Sequence, residues 1–163
     1  MKTSIYKAIA LALLPSLLLA GCAGARYKSD VPCEDVTKKA VEILSDGLEY
    51  AEFDGSHVDM YFNKAAFEDF FVIYSTETND INEIGVFRAA DERSAKQTEA
   101  ACLDYVKTMR DEQRAFISSY APDELPKLER ARVHRYGNYV VYTILTPEET
   151  DAVLDGTKQL LRK

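Results

Sequence analysis

Two strand–turn–strand patterns, each followed by a helical pattern, constrain the fold of this chain more than any other feature. Residues 70–74 and 84–87 are rich in aromatic and β-branched side chains, and a polar, turn-forming stretch separates them. Residues 131–136 and 139–145 repeat the pattern around Gly137-Asn138, a two-residue loop typical of a tight hairpin. The sequence therefore predicts two antiparallel hairpins.

Three helical patterns surround these hairpins. The first begins at Glu34, where apolar residues recur at helical spacing, and is expected to end between residues 48 and 51. The second is long: Asp91 caps its start and it runs to about residue 118. The third begins at Thr146-Pro147-Glu148-Glu149, which combines an N-cap threonine, a proline in the first turn and a capping-box glutamate.

The order helix, hairpin, helix, hairpin, helix (α-ββ-α-ββ-α) predicts a single α+β domain over residues 34–163. Its antiparallel sheet is expected to have about four strands, with the helices packed on one face. The other face would then be free for a partner. Residues 53–67 fit either a short helix or an irregular loop with aromatic side chains.

The first 22 residues have the charged, apolar and then small order of a secretory signal. Lys2 and Lys7 precede an apolar run at residues 9–19, which is too short for a stable membrane span. The run leads into Leu19-Ala20-Gly21-Cys22, which resembles the lipobox of bacterial lipoproteins. In such proteins the cysteine thiol receives a diacylglyceryl group before cleavage.

Processing at this cysteine would anchor the protein on the extracytoplasmic face of the cell membrane. We expect a signal peptide at residues 1–21, then a lipidated Cys22 with a linker over residues 22–33. The formal net charge is −7, and removal of the two signal-peptide lysines leaves the remainder near −9. An acidic surface argues against nucleic acid as a partner. It also disfavours electrostatic attraction to anionic lipid head groups, so membrane contact is expected through the attached lipid alone.

Two further cysteines, Cys33 and Cys102, leave two interpretations open. An extracytoplasmic location permits a disulfide, but the sequence does not give the distance between their Cα atoms. Alternatively both are free, since Cys102 falls on the apolar side of the predicted long helix, where a thiol packs as a small apolar group. Neither cysteine has a histidine in a recognisable nucleophile arrangement.

The second hairpin carries the candidate partner-binding residues. Arg132, His134 and Tyr136 alternate along its first strand, and Tyr142 from its second strand is expected on the same face. A basic, aromatic surface of this kind suits an envelope protein or an acidic cell-wall polymer. The alternative is an ordinary exposed strand face, in which the tyrosines stabilise the hairpin by cross-strand pairing.

A second cluster consists of Glu52, Asp54, His57 and Asp59, four potential metal ligands within eight residues. Such side chains suit a metal-dependent enzyme or a hydrolase centred on His57. Their spacing matches neither a calcium loop nor a zinc site, so a solvated acidic loop is the simpler interpretation. The sequence contains no serine–histidine–aspartate pattern and no phosphate-binding glycine loop, so we predict no catalytic residues, no metal and no cofactor.

Several segments together resemble one known family. They are residues 70–74, Asn82-Glu83-Ile84-Gly85-Val86-Phe87-Arg88, the helix from Asp91, Tyr120-Ala121-Pro122 and Gly137-Asn138-Tyr139-Val140-Val141. From Glu34 to Leu161 the chain is similar to lipoproteins that carry a domain of unknown function and are common in Gram-positive anaerobes of the clostridial type. The resemblance implies no catalytic residues, and Cys33 and Cys102 are not part of its pattern.

These observations predict a membrane-anchored extracytoplasmic lipoprotein whose domain binds another envelope component without catalysis. An envelope hydrolase or metal-dependent enzyme centred on His57 is the alternative, and a lipoprotein that only spaces an envelope assembly is a third possibility. A concave pocket that gathers His57 or His134 with carboxylates would favour chemistry. A flat, exposed apolar sheet face would favour a partner.

Overall fold

A computed structural model describes residues 27–163, so the predicted signal peptide and Cys22 lie outside the described residues. The elements are α1 (Cys33–Leu44), β1 (Tyr50–Glu52), α2 (Gly55–Tyr61), β2 (Asp69–Ser75), β3 (Glu83–Arg88), α3 (Glu92–Tyr120), a 3-10 turn (Pro122–Glu124), α4 (Leu125–Glu129), β4 (Arg132–Tyr136), β5 (Tyr139–Ile144) and α5 (Pro147–Leu161). Within residues 27–163, none of the helices combines the length and apolar content that crossing a membrane requires.

The strands form one antiparallel sheet in the order β1-β2-β3-β5-β4. Both predicted hairpins are present, as β2–β3 and β4–β5, and they are joined through β3 and β5. The sheet has five strands rather than the expected four or so, because β1 adds an edge strand beside β2. This strand has only three residues, too few for the alternation that marks a strand in a sequence.

Helices cover both faces of the sheet, so the prediction that all helices pack on one face is wrong. Helices α1 and α5 pack on the face that carries Ile84 and Val86. Helices α2 and α3 pack on the opposite face, which carries Phe87 and Val140. All six residues of β5 are buried, and a strand that is apolar on both sides needs cover on both sides. The fold is therefore a three-layer α/β/α arrangement around an antiparallel sheet, with neither face left free among the described residues.

Local signals placed most helix ends correctly. Asp91 accepts a hydrogen bond from the Ser94 backbone N–H at the start of α3, and the capping box of Thr146 and Glu149 is formed at the start of α5. Helix α1 ends at Leu44, earlier than predicted, because Ser45 turns into the left-handed region at φ 46°. Of the two interpretations of residues 53–67, the short helix is the one observed, as α2.

Cys33 and Cys102 are free thiols that are buried on opposite faces of the sheet. Cys33 begins α1 and packs in the core beneath it, whereas Cys102 lies under α3. Burial raises the pKa of both thiols far above the ordinary value. They pack as small apolar groups, which settles the question of a disulfide that the sequence left open.

The described part of the predicted linker belongs to the domain. Tyr27 pairs with Arg162 in an isolated β-bridge, and the backbone N–H of Lys28 donates to the Leu161 carbonyl at 2.7 Å. The Tyr27 ring contacts the Tyr136 ring edge-on, with 5.6 Å between their centroids. The chain is thus held to the C-terminal end of α5 from Tyr27 onward.

Candidate functional site

Three of the four predicted partner-binding residues line up along β4, on the face covered by α5. Arg132 forms an ion pair with Asp151 of α5, and the hydroxyl of Tyr136 donates to the Leu154 carbonyl at 2.8 Å. His134 is exposed, and its ring lies 4.4 Å from that of Tyr136. Partial burial and the nearby Arg132 guanidinium lower the pKa of His134. These side chains therefore join the edge of the sheet to α5.

Tyr142, the fourth, lies on the opposite face and is fully buried. In the β4–β5 register it stands opposite Val133, so it shares the face of Val133 and not that of His134. The four residues do not form one surface, and only Arg132 and His134 are exposed to solvent. The grouping fails on strand alternation: the two-residue loop pairs Tyr136 with Tyr139, and Tyr142, three residues beyond Tyr139, points to the other face.

The hydroxyl of Tyr142 instead meets a buried carboxylate. It donates to Oε1 of Glu83 at 2.6 Å, and the hydroxyl of Tyr105 from α3 donates to the same oxygen at 2.8 Å. The rings of the two tyrosines are edge-on, 5.4 Å apart. Strand β3, strand β5 and helix α3 thus contribute one residue each to a buried hydrogen-bonded group.

Gly85 makes this arrangement possible. It lies directly opposite Tyr142 in the β3–β5 register, and the tyrosine ring crosses the strand above it to reach Glu83, two residues away. A Cβ atom on Gly85 would overlap the ring, at 2.5 Å from Cζ and 2.7 Å from Cδ1 of Tyr142. Only a residue without a side chain allows this close approach.

The environment of Glu83 favours its protonated form. The side chain is only 6% exposed, and burial raises its pKa from 4.5 to about 7, although the two tyrosine hydrogen bonds act in the opposite direction. The pKa values of Tyr105 and Tyr142 are raised as well, by burial and by the neighbouring carboxylate. Glu83 therefore changes charge near neutral pH.

Two adjoining cavities meet at Glu83, with volumes of about 260 Å³ and about 430 Å³. We call them together the Glu83 groove. The residues that line both are Phe53, Tyr74, Glu83, Met109 and Gln113. The smaller cavity is otherwise mainly apolar, and its further lining includes Ile81, Phe116, Ile117, Leu128 and Ile144. Both tyrosine hydrogen bonds end on Oε1, so Oε2 is the Glu83 oxygen that a bound molecule is expected to contact.

An almost buried ion cluster closes one end of the smaller cavity. The Nζ atom of Lys127 lies 2.7 Å from Glu124 Oε2 and 3.4 Å from Asp80 Oδ1. The same Glu124 oxygen accepts from the Ile81 backbone N–H at 3.2 Å. The cluster ties the segment after α3 to the β2–β3 connection, and both segments contribute residues to the cavity wall.

Three residues of the predicted acidic cluster, Glu52, Asp54 and His57, line the larger cavity together with Glu83, whereas the fourth, Asp59, does not. Asp54 caps α2: its Oδ1 accepts from the His57 backbone N–H at 3.0 Å and lies 3.0 Å from His57 Nδ1. Hydrogen bonds from Ser56 and His57 hold the pKa of Asp54 well below its usual range. Over residues 27–163, no group of three or more histidine, cysteine or carboxylate side chains is arranged to hold a metal ion.

A concave pocket that gathers His57 with carboxylates is thus present, the outcome expected for chemistry, and the flat apolar sheet face expected for a partner is absent from residues 27–163. Sequence reasoning found His57 and its acids but missed Glu83, Tyr105 and Gly85. One signal was available: Glu83 stands at the start of an apolar strand pattern, where an acid faces the core. Its partners were not recognisable, because Tyr105 and Tyr142 lie 22 and 59 residues away in sequence.

Comparison with known proteins assigns a family to the part of the chain that builds most of this groove. Residues 58–145 match the family model described as a domain of unknown function, DUF4358, and include Glu83, Tyr105 and Tyr142. No curated protein and no solved structure matches the chain. Because the matched segment covers more than half of the 163 residues, the chain belongs to the DUF4358 family.

Proposed function

We propose that this DUF4358 protein is a lipid-anchored extracytoplasmic lipoprotein of the clostridial-type envelope, and that its domain binds an envelope component in the Glu83 groove. The Leu19-Ala20-Gly21-Cys22 pattern supports the anchor. Two acyl chains on one cysteine hold a protein firmly at a membrane, so the domain needs no spanning helix. The acidic surface keeps it soluble beside that membrane.

The observation that carries the binding role is the construction of the groove. Aromatic and aliphatic side chains form most of its lining, and one recessed carboxylate stands where its two cavities meet. A concave apolar site with few, fixed polar groups is the usual form of a ligand site. The exposed Phe116 side chain at the rim, 58% accessible, supplies further apolar surface for a bound molecule.

Photo-crosslinking in intact cells tests this role. A benzophenone amino acid at Phe116 is expected to capture a ligand or partner, whereas the same residue at Leu103 captures none. Leu103 is a matched control because it is also an exposed apolar residue of α3 but does not line the groove. Equal labelling at both positions would contradict a binding role for the groove.

The anchor has its own test. Cys22→Ala is expected to remove lipid labelling and to leave the protein unprocessed or released from the membrane. Metabolic labelling with a fatty-acid analogue, followed by membrane fractionation, measures both effects. Undiminished lipid labelling of the Cys22→Ala variant would refute the assignment of Cys22.

One observation favours a second candidate, an envelope hydrolase. The larger cavity brings His57 together with Glu52, Asp54 and Glu83, and an imidazole beside carboxylates suits acid–base catalysis. If the protein is a hydrolase, incubation of the wild-type protein with purified envelope material releases soluble products, and the His57→Ala variant releases none. The Asp54 hydrogen bonds argue for the simpler role, since they already stabilise the first turn of α2.

A further inference from the structure

Aromatic rings surround the Glu83 side of the larger cavity. Phe53, Tyr61, Tyr74 and Tyr105 all line it. Phe53 and Tyr74 form one contacting pair, with ring centroids 5.2 Å apart, and Tyr61 and Tyr105 form another at 5.5 Å. Four rings and a carboxylate in one cavity match the chemistry that proteins use to hold an organic ammonium ion, through cation–π attraction and ion pairing.

The charge of the groove selects a cation. Acidic side chains line it at Glu52, Asp54, Asp80 and Glu83, while His57 is the one basic side chain among the described residues that line either cavity. Asp80 is compensated by Lys127, and Asp54 by the helix end that it caps. Within residues 27–163 the Glu83 carboxylate accepts hydrogen bonds only from tyrosine hydroxyls and has no cationic partner, so its charge is the one that a ligand is best placed to neutralise.

The adjoining smaller cavity adds a requirement for an apolar group. Its wall is formed by aliphatic and aromatic side chains, among them Ile81, Phe116, Leu128 and Ile144. It begins at the same Glu83, Tyr74 and Met109 that line the larger cavity. A molecule with its positive charge near Glu83 can therefore extend an apolar part into this space.

We propose that the Glu83 groove binds an organic ammonium ion attached to an apolar group, with the ammonium beside Glu83 and the four rings and the apolar group in the smaller cavity. This ligand class rests on the proposed binding function of the groove. The ionised carboxylate is the form that attracts the cation. Since burial raises the pKa of Glu83 to about 7, binding is expected to weaken as the pH falls below that value.

Isothermal titration of the full-length chain with three probes of similar size tests the ligand class. Benzyltrimethylammonium carries the cation, neopentylbenzene is its neutral carbon analogue, and phenylacetate carries a negative charge. We expect the cation to bind at least tenfold more tightly than the neutral analogue and phenylacetate not to bind. Acetyl-phenylalanyl-lysine amide is a fourth probe, and tighter binding of it than of benzyltrimethylammonium assigns the ammonium to a peptide.

Two variants and one control locate the site. Glu83→Gln keeps the shape and is expected to weaken cation binding at least tenfold at pH 8, and Tyr74→Ala removes a partly exposed ring with a similar effect. Glu112→Gln removes the same charge from an exposed position of α3 that does not line the groove, and leaves binding unchanged. Circular dichroism establishes that each variant is folded.

The outcomes separate the ligand class from the function. Equal affinity for cation and neutral analogue, or unchanged cation affinity in both folded variants, overturns the ammonium assignment. Binding of the neutral or anionic probe alone, lost in Tyr74→Ala, overturns the ammonium and leaves the groove as a binding site. Failure of every probe to bind, together with equal photo-crosslinking at Phe116 and Leu103, overturns both proposals.

Discussion

At Glu83 the protein buries a carboxylate that accepts hydrogen bonds from two buried tyrosine hydroxyls. Removing the ionised form from water is unfavourable, and two tyrosine hydroxyls offset only part of that cost. Burial of Glu83 therefore opposes stability at neutral pH. Buried groups with a strongly shifted pKa cluster at functional sites, which supports contact between Glu83 and a ligand.

The pH dependence of stability follows from the same residue. Because the pKa of Glu83 is about 7 in the folded state against a usual 4.5, the folded state binds the proton more tightly, and stability falls as pH rises between those values. The change amounts to roughly 3 kcal/mol. The Glu83→Gln side chain does not ionise, so the free energy of unfolding of this variant lacks the pH dependence that Glu83 contributes. Urea unfolding of both proteins from pH 4 to 8 measures the difference, and parallel curves would show that Glu83 titrates normally.

Gly85 gives a second prediction at this scale. Gly85→Ala forces the Tyr142 ring away from the strand and is expected to cost about 2 kcal/mol or more, as overpacking of a core does. Gly55→Ala is the control, since a Cβ there meets nothing within 4 Å and its substitution is neutral or slightly stabilising. The comparison uses urea midpoints, and equal midpoints for the two variants would contradict the close approach.

At the scale of elements, the sequence was sufficient wherever the signal was local. The capping box at Thr146 and the Gly137-Asn138 loop each lie within a few residues, and the elements they predict are present. Strand β1 was not predictable in this way, because its partner Ser75 is 25 residues from Tyr50. The sequence of β5 did indicate helices on both faces of the sheet, because five of its six residues are apolar or aromatic, a pattern typical of a strand buried on both sides.

The candidate site was less predictable than the fold for the same reason. His57 and its acids form a sequence cluster, and the structure places Glu52, Asp54 and His57 at one cavity but not Asp59. The Glu83 hydrogen bonds depend on strand register and on the position of α3, neither of which a single sequence specifies. The face of Tyr142, by contrast, follows from the two-residue Gly137-Asn138 loop and the alternation of side chains along a strand, so its predicted place beside His134 is an error of inference and not a missing signal.

The segment after α3 supports a prediction about the groove wall. Lys127→Ala leaves Asp80 and Glu124 facing each other without their cation, and is expected to destabilise the fold by about 2–4 kcal/mol. Lys107→Ala breaks an exposed pair with Asp111, and is expected to leave the stability of the fold nearly unchanged. Thermal unfolding at low and high salt compares the two variants. Equal losses of stability would mean that the Lys127 cluster does not stabilise the fold more than an exposed ion pair does.

At the scale of the whole molecule, the strand register places the groove at one end of the sheet and Tyr27, the described residue nearest to Cys22, at the other end. Arg88 pairs with Tyr139 at one end of β3 and β5, next to the Gly137 turn that Tyr27 contacts. Glu83 pairs with Ile144 at the other end, about 17 Å away along the strand. Five residue steps separate Cys22 from Tyr27 and span at most about 18 Å. The proposed lipid on Cys22 would therefore keep the Tyr27 end near the membrane and turn the groove away from it.

Fluorescence quenching in lipid vesicles tests this orientation. Lys163→Cys, next to the bridge between Tyr27 and Arg162, and Phe116→Cys, at the groove rim, each provide one exposed labelling position. The native Cys33 and Cys102 are both 0% exposed and do not compete for the label. With a quencher in the lipid phase, we expect strong quenching at position 163 and weak quenching at 116. Cys22→Ala should abolish both, because the domain then has no anchor. Stronger quenching at 116 would place the groove against the membrane, and its ligand would then have to come from the lipid surface.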